Sequence, residues 1–233
     1  MRKTLERGLH AMGVDAACLP RLEEFAGMVL ERNQVMNLTA ITEPREFAAL
    51  HLLDSLEAGV LAGLEQGSLV DVGTGAGFPG VPLAIARPEL RVTLLDSLGK
   101  RIGFLREVCR TLKLENAECV QARAEEFACE NRERFDCAVS RAVADLPVLC
   151  ELCLPLVRVG GRFLAMKSSH SDEELERARK AMEILGGRVG WVKDYQIPTT
   201  DVTHRVVCVE KAAATPGKYP RRFALIRKRP LGE

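Results

Sequence analysis

An aspartate at position 71, glycines at 73, 75, 77 and 80, and a second aspartate at 96 form the part of this 233-residue sequence best suited to holding a small molecule. Glycine reaches positive φ and lets a backbone approach a ligand with no Cβ in the way. The run Asp71-Val72-Gly73-Thr74-Gly75-Ala76-Gly77-Phe78-Pro79-Gly80 follows a short apolar segment and precedes a helical pattern. That places it at the carboxyl edge of a predicted sheet, where open α/β folds bind ligands. Asp96 falls 19 residues after Gly77, at the tip of the next predicted strand. A carboxylate there accepts hydrogen bonds from both hydroxyls of an adenosine ribose.

Two ligand classes share this pattern. Gly75-Ala76-Gly77-Phe78-Pro79-Gly80 spells the G-x-G-x-x-G of dinucleotide sites. A pyrophosphate needs free N–H groups at the start of the following helix, and Pro79 removes one of them. Asp71, directly before the glycines, repels a pyrophosphate but suits the cationic amino group of a methionine moiety. The residues therefore favour S-adenosylmethionine over a nicotinamide cofactor, and methyl transfer over hydride transfer. Displacement at a sulfonium carbon requires an aligned electron pair and exclusion of water. The acceptor site is expected at the edge of the fourth strand, Ser140-Arg141-Ala142-Val143. No Asn/Asp-Pro-Pro-aromatic motif for exocyclic amines stands there, and no cysteine for attack at carbon 5 of a pyrimidine. A ring nitrogen with its own lone pair, such as guanine N7, needs neither. No catalytic residue is assigned.

The elements that must position these residues follow from periodicity. Leu22, Phe25, Val29 and Leu30 recur at helical spacing, a turn-rich stretch runs from Asn33 to Pro44, and Phe47, Leu50, Leu53 and Leu56 mark a second helical pattern. Strands are expected at 69–72, 92–96, 117–120, 135–140 and 162–166, with helices between them at 102–112 and 146–157. A charged helix at 173–185 and an antiparallel pair, 188–197 with 205–210, close the sequence. Strand and helix in alternation predict an α/β fold, a Rossmann-like and mostly parallel sheet with helices on both faces. We divide the chain into a helical N-terminal cap at 1–60, not independent; a core at 61–211; and a basic C-terminal tail at 212–233.

Composition narrows the classes further. A hydrophobic fraction of 47% and a charged fraction of 28% are those of a globular chain. No run approaches the roughly 18 apolar residues of a membrane span, and the first residues lack the apolar stretch of an export signal. A cytoplasmic location is expected. The eight cysteines are accordingly expected to be reduced. Cys150-Glu151-Leu152-Cys153 matches C-x-x-C, but no second pair or nearby histidine completes a metal site, so no metal is expected. Asn37-Leu38-Thr39 spells a glycosylation acceptor that has no meaning without secretion. The net charge of +1 hides an asymmetry: residues 211–233 hold seven basic residues and one acid, +6, which leaves −5 on the rest. A basic tail on a mildly acidic body is a polyanion-binding pattern.

Several further residues have two readings. Lys100 and Arg101 open a helix where cations oppose its dipole, which suggests phosphate binding; otherwise they pair with Asp96 or Glu107. Arg141 is either a structural ion pair or part of the cofactor and target-base pocket. His51 and Asp54, at i, i+3, either make capping contacts or meet substrate. Lys167 and His204 are candidate phosphate contacts, as are Arg221 and Arg222 in the tail, with Tyr219 and Phe223 interleaved for stacking.

Asn37-Leu38-Thr39, His51-Leu52-Leu53-Asp54-Ser55, Asp71 to Pro82, Leu94-Leu95-Asp96-Ser97-Leu98-Gly99-Lys100-Arg101, Ser140-Arg141-Ala142 and His204-Arg205-Val206-Val207 together resemble the RsmG (GidB) family. The likeness runs from about residue 20 to the C-terminus in order and spacing. It implies a class I S-adenosylmethionine-dependent methyltransferase fold and methylation of N7 of a guanine in small-subunit ribosomal RNA. It also implies cofactor contacts at Gly73, Phe78, Asp96, Ala124, Glu125 and Arg141. With the residues read from the loop, the candidate cofactor set is Asp71, Gly73, Gly75, Gly77, Phe78, Asp96, Ser97, Ala124, Glu125 and Arg141. The candidate RNA set is Asn37, His51, Lys100, Arg101, Lys167, His204, Arg221 and Arg222. The partners expected are ribosomal RNA or the ribosomal subunit, with no membrane. Two other classes stay open: an NAD(P)-dependent oxidoreductase, and a non-catalytic RNA-binding protein with a vestigial cofactor pocket.

Overall fold

A computed structural model of the chain describes residues 1–141 and 144–232. Ala142 and Val143, the end of the motif that starts at Ser140, lie outside the described residues. Among the described residues, four helices precede the sheet: α1 (Arg2–Met12), α2 (Leu19–Met36), α3 (Pro44–Phe47) and α4 (Asp54–Leu61), with a π-helical stretch, Ala48–Leu53, joining the last two. Alternation follows, through β1 (Gly67–Val72), α5 (Gly80–Ala86), β2 (Leu90–Asp96), α6 (Gly99–Thr111), β3 (Ala117–Gln121), α7 (Ala124–Glu130), β4 (Phe135–Arg141) and α8 (Leu146–Cys153). The chain ends with β5 (Val157–Ser168), α9 (Asp172–Ile184), β6 (Gly187–Gln196), β7 (Thr203–Lys211) and α10 (Phe223–Lys228).

The strands lie in the order β3-β2-β1-β4-β5-β7-β6. Pairing is parallel from β3 to β5, and β7 runs antiparallel to both β5 and β6. This is the expected mostly parallel sheet with a closing antiparallel pair. Residues two apart along a strand share a face, and the core divides accordingly. Leu69, Leu94, Val139 and Leu164 pack with Leu5, Leu22, Phe47, Leu83 and Leu105 on one side. Val70, Leu95, Ala138 and Phe163 pack with Leu149, Ala178 and Ile226 on the other. Helices therefore cover both faces, and the N-terminal helices share one continuous core with α5 and α6. Close approach between them needs small residues: a Cβ at Gly59 of α4 would stand 2.5 Å from Leu83 Cδ2 of α5.

Three expectations change. The turn predicted from Asn33 starts later, since α2 continues to Met36 and ends at Asn37 with φ 48°. Asn33 instead spends its side chain on the loop beyond, exchanging two 2.9 Å hydrogen bonds with the backbone of Thr39. The helix predicted to reach Val157 stops at Cys153, and a 3-10 turn at Leu154–Leu156 leads into a longer β5. Gly161 sits inside that strand because a Cβ there would come within 2.6 Å of Asp136 O.

The third change concerns the C-terminus, which is folded onto the α8 side of the sheet. Lys211 is buried and donates to Leu154 O at 2.6 Å, Val157 O at 3.1 Å and Thr215 Oγ1 at 2.7 Å. Arg132 donates to the carbonyls of Tyr219, Pro216 and Thr215. Two of the basic residues that made the segment read as a polyanion-binding tail, Lys211 and Arg221, are used inside the fold.

Among the described residues all eight cysteines are free thiols, five of them buried. Burial pushes the Cys137 thiol up to about 12 and raises Cys150 and Cys153 as well, so the C-x-x-C pair on α8 packs as apolar side chains. No group of three or more metal-ligating side chains occurs among the described residues. No described helix is long and apolar enough to cross a membrane.

Candidate active site

The β1–α5 loop is shaped from behind by Asp71. Its carboxylate is fully buried, and Oδ2 accepts from Thr74 Oγ1 at 2.6 Å and from Gly80 N at 2.8 Å. Gly80 makes this possible, because a Cβ there would stand 2.7 Å from Oδ2 and 2.3 Å from Leu94 Cδ2. Burial lifts the Asp71 carboxyl to about 6, against the hydrogen bonds from Thr74 and Gly80. The sequence reading of Asp71 as a direct partner for an amino group is thereby corrected: the side chain is sealed behind the loop. Gly77 is likewise behind it, with φ 104° and the Val81 and Leu105 side chains where a Cβ would be.

Loop amides are almost fully used within the protein. Gly73 N and Thr74 N donate to Leu95 O, Gly77 N and Phe78 N to Thr74 O, Val81 N to Gly77 O, and Gly80 N to Asp71. Pro79 has no N–H. The start of α5 thus offers no cluster of free donors for a pyrophosphate, which weighs against the nicotinamide reading.

In front of the loop is a cavity of about 500 Å³. Gly73, Gly75 and Phe78 line one wall, and a Cβ at Gly75 would meet nothing closer than Gly73 O at 3.8 Å. Asp96 stands at the centre, 5% exposed, with Oδ2 accepting from Gly75 N at 3.1 Å and Oδ1 from Leu98 N at 2.8 Å. Oδ2 also accepts from Arg101 Nη1 at 3.3 Å, which leaves Oδ1 with a lone pair for a further donor. Ser97 and Leu98 follow it on the lining, Ala122 to Glu125 line the far end, after β3, and Leu152 and Phe223 also line the cavity.

The opposite end is built around Arg141, at the tip of β4. Its Nη1 donates to Asp54 Oδ2 at 3.1 Å and Leu50 O at 3.2 Å, its Nη2 lies 3.2 Å from His51 Nδ1, and its guanidinium sits 5.0 Å over the Phe78 ring. His51 stacks on Phe78 at 4.7 Å and meets the edge of Phe47. Asp54, completely buried, also accepts from Tyr195 Oη at 2.7 Å and His204 Nδ1 at 2.9 Å. Burial alone would raise its carboxyl, but the hydrogen bond from His204, the Arg141 charge and the bond from Tyr195 hold it below the usual range. The network draws together the N-terminal helices, β4 and the β6–β7 pair, and it joins the two readings of Arg141: an ion pair that also lines the cavity.

Arginine donates only, so His51 Nδ1 accepts and the neutral ring carries its proton on Nε2, toward Thr39 Oγ1 at 2.7 Å. Burial, followed by the Arg141 charge, lowers the imidazole to about 4. Between pH 4 and 6.5 the unfolded chain binds a proton here that the folded chain does not, so His51 removes stability as pH falls through that window. Asp71 works in the opposite sense, since its folded-state value is raised and its protonation favours the fold below about 6. His51→Gln should therefore lose about 2 kcal/mol less than the unsubstituted chain between pH 6.5 and 4. Denaturant titrations at the two pH values measure it, and equal acid losses would mean that His51 is charged in the fold.

The remaining candidates separate. Arg101 reaches Asp96 Oδ2 at 3.3 Å and lines the cavity. Asn37, Lys100 and Arg222 are exposed. His204 belongs to the Asp54 network. Lys167 was read as a phosphate contact, but it is bonded to Glu174 Oε1 at 2.5 Å and to Ala144 O at 2.7 Å. Arg221 was read the same way, but it forms a two-pronged pair with the fully buried Glu151. Both cations are neutralised within the fold. Sequence reasoning missed Arg123 and Leu152 on the cavity wall, read Phe223 as an RNA-stacking residue where the structure puts it on that wall, and missed Thr39 and Tyr195 in the network. Thr39 was within reach, lying between Asn33 and the helix that carries His51; the others arrive only by tertiary packing.

A protein-family model described as GidB, rRNA small subunit methyltransferase G, matches residues 19–203. The chain belongs to the GidB family. A relative from Pelotomaculum thermopropionicum, called ribosomal RNA small subunit methyltransferase G, is 46% identical over 236 residues, covering 99% of each chain. One of the same name from Alkaliphilus metalliredigens is 45% identical, covering 97% of this chain and 95% of its own. Among solved structures, M. jannaschii TYW2 in complex with AdoMet matches with a TM-score of 0.55 at 18% identity, over 68% of this chain and 76% of that one. TrmN from Thermus thermophilus matches with a TM-score of 0.53 at 21% identity, over 67% and 48%. Likeness at that level concerns the fold alone. It agrees with the family assignment that this GidB-family chain has a class I methyltransferase architecture.

Proposed function

We propose that the protein transfers the methyl group of S-adenosylmethionine to N7 of a guanine in small-subunit ribosomal RNA. The observation that carries this reading is the cavity between Asp96 and Arg141 in a chain of the GidB family. Its residues fit the cofactor. Asp96 presents a carboxylate whose Oδ1 is open to a ribose hydroxyl, with the half-exposed Arg101 the movable partner on Oδ2; Ala122, Ala124 and Leu98 give apolar surface for a purine, and the open face of Gly75 admits a ligand against the backbone. S-adenosylmethionine, when bound, supplies a methyl carbon on a sulfonium sulfur, open to in-line displacement.

The protein's own part is to bind, orient and exclude water. At the Arg141 end the rings of Phe78 and His51 form an apolar wall, and Arg141 is fixed by four partners. Among the described residues no base is on hand there: His51 Nδ1 accepts from Arg141, and Asp54 is taken up by Arg141, His204 and Tyr195. An acceptor that had to lose a proton first would find no group to take it. Guanine N7 brings its own lone pair and loses no proton in the transfer, which supports that acceptor atom. To reach a recessed methyl the base must leave its stack.

The rim bears the cations that suit a phosphate backbone. Lys100 and Arg222 are exposed beside cavity residues, and Arg123 is half-exposed on the lining itself; Asn37 adjoins the lining residue Leu38. Lys100→Ala and Arg222→Ala should each weaken RNA binding and reduce its salt slope by about 0.7–0.9. An unchanged slope in binding titrations across salt would remove that residue from the interface. A ribosomal substrate supports a cytoplasmic location. The direct test supplies labelled S-adenosylmethionine with small and large ribosomal subunits and with their protein-free RNAs. Label confined to small-subunit RNA is expected; label in large-subunit RNA alone, or cofactor binding with no transfer, would refute the assignment.

A further inference from the structure

We infer that Phe223 is a cofactor-positioning residue that closes the adenine end of the cavity, held there by the buried Glu151–Arg221 pair. The inference rests on reading the cavity as the S-adenosylmethionine site. It concerns a segment outside the stretch that the family model matches, which ends at residue 203.

Glu151 is a carboxylate with no exposed surface, inside α8. A charge so placed is costly unless paired and hydrogen-bonded, and among the described residues Arg221 supplies the compensation. Its backbone N and its Nε each lie 2.8 Å from Oε1, and its Nη2 lies 2.6 Å from Oε2. The same Nη2 donates to Arg229 O at 2.9 Å, so one guanidinium ties α8 to both ends of α10. Each partner of this pair sits within two residues of a cavity wall: Leu152 follows Glu151, and Phe223 follows Arg221 by two. Upstream, the Arg132 and Lys211 bonds strap residues 211–219 across the sheet and fix the approach.

Phe223 packs against the same apolar cluster as Ala122 and Ala124, the residues after β3. It shares the cavity lining with Ala122, Ala124 and Leu152, and its proposed place is at their end, opposite Arg141. A purine presents flat apolar faces, and an aromatic side chain against one of them gains contact without using a hydrogen-bonding group. The recognised chemistry is a purine nucleoside, and the segment acts on the cofactor side of the reaction while Arg222 faces solvent.

Calorimetry with S-adenosylhomocysteine tests this on the full chain. Phe223→Ala should bind about tenfold more weakly, with Phe223→Leu between. Arg221→Ala should show the same loss, and adding Phe223→Ala to it should cost little more, because the ring is already displaced. Trp191 is the single tryptophan of the sequence, so a Trp191→Phe, Phe223→Trp chain carries one indole at the cavity. Its emission should change with S-adenosylhomocysteine and with adenosine, and not with methionine. If the unsubstituted chain binds no S-adenosylhomocysteine, the cofactor reading and this inference fall together. If it binds and Phe223→Ala binds equally well, or the indole emission ignores bound ligand, the inference alone is overturned. Should Arg221→Ala fail to fold, the Phe223 variants still decide.

Discussion

Asp96→Ala should weaken binding of S-adenosylmethionine and S-adenosylhomocysteine by about a hundredfold or more. The substitution removes the acceptor for two ribose hydroxyls, and a hydrogen bond to a charged group is worth about 1.5–3 kcal/mol. It also frees Gly75 N and Leu98 N, which the carboxylate now holds at 3.1 and 2.8 Å, so the glycine loop and the start of α6 lose a common anchor. Folding should suffer much less, by about 1 kcal/mol, because those amides border the cavity and water can replace their partner. Asp96→Asn keeps the shape and one acceptor and should fall between. Isothermal calorimetry gives the affinities and denaturant titration the stability. Undiminished affinity in Asp96→Ala would mean that the cofactor lies elsewhere.

Arg141→Ala is expected to damage both fold and reaction. It leaves Asp54 completely buried with only His204 and Tyr195 as partners, and strips Leu50 O and His51 Nδ1 of their donor. Breaking a buried pair from one side costs about 3–5 kcal/mol, a large share of the roughly 5–15 kcal/mol that holds a domain together. Assayed at a temperature below its own unfolding, the variant should still transfer methyl groups about a hundredfold more slowly at saturating cofactor. The wall of His51 and Phe78 no longer has a fixed position, and small misplacements cost that much. Arg141→Lys returns a charge to Asp54 but neither the fork nor the flat face over Phe78. Stability should partly recover while the rate stays low. Recovery of both together would make Arg141 a charge and nothing more.

Much of this site was legible in the sequence where chemistry is local. A glycine run after a strand, with an acid at the next strand tip, placed the cavity's centre at Gly73, Gly75 and Asp96, because the distance from one strand end to the next is set by the β-α-β unit itself. Asp71 shows the limit of that reasoning. Its type and place in the motif were plain, yet its direction depends on Gly80 and Leu94 letting the carboxylate turn inward. Lys167 and Arg221 mislead for a related reason: a cation's partner is chosen by packing, and Glu174 and Glu151 come from other elements. The seven basic residues at the C-terminus read as a free tail since no periodicity marks Lys211 or Arg221 as buried. Phe223 reads as a stacking residue of that tail for the same reason, since it comes to the cavity beside an ion pair whose partners are 70 residues apart in sequence.

The central claim is the acceptor atom, and the most direct measurement is to incubate the protein with S-adenosylmethionine and unmethylated small ribosomal subunits and digest the RNA to nucleosides. The modified position is then mapped by reduction and aniline scission, which cut the chain at N7-methylguanosine. The account predicts one new nucleoside, N7-methylguanosine, and one cut site. A methyl group on an exocyclic amine, on a pyrimidine carbon or on a ribose oxygen would contradict it, because each of those acceptors needs a group that none of the described residues at the Arg141 end of the cavity provides.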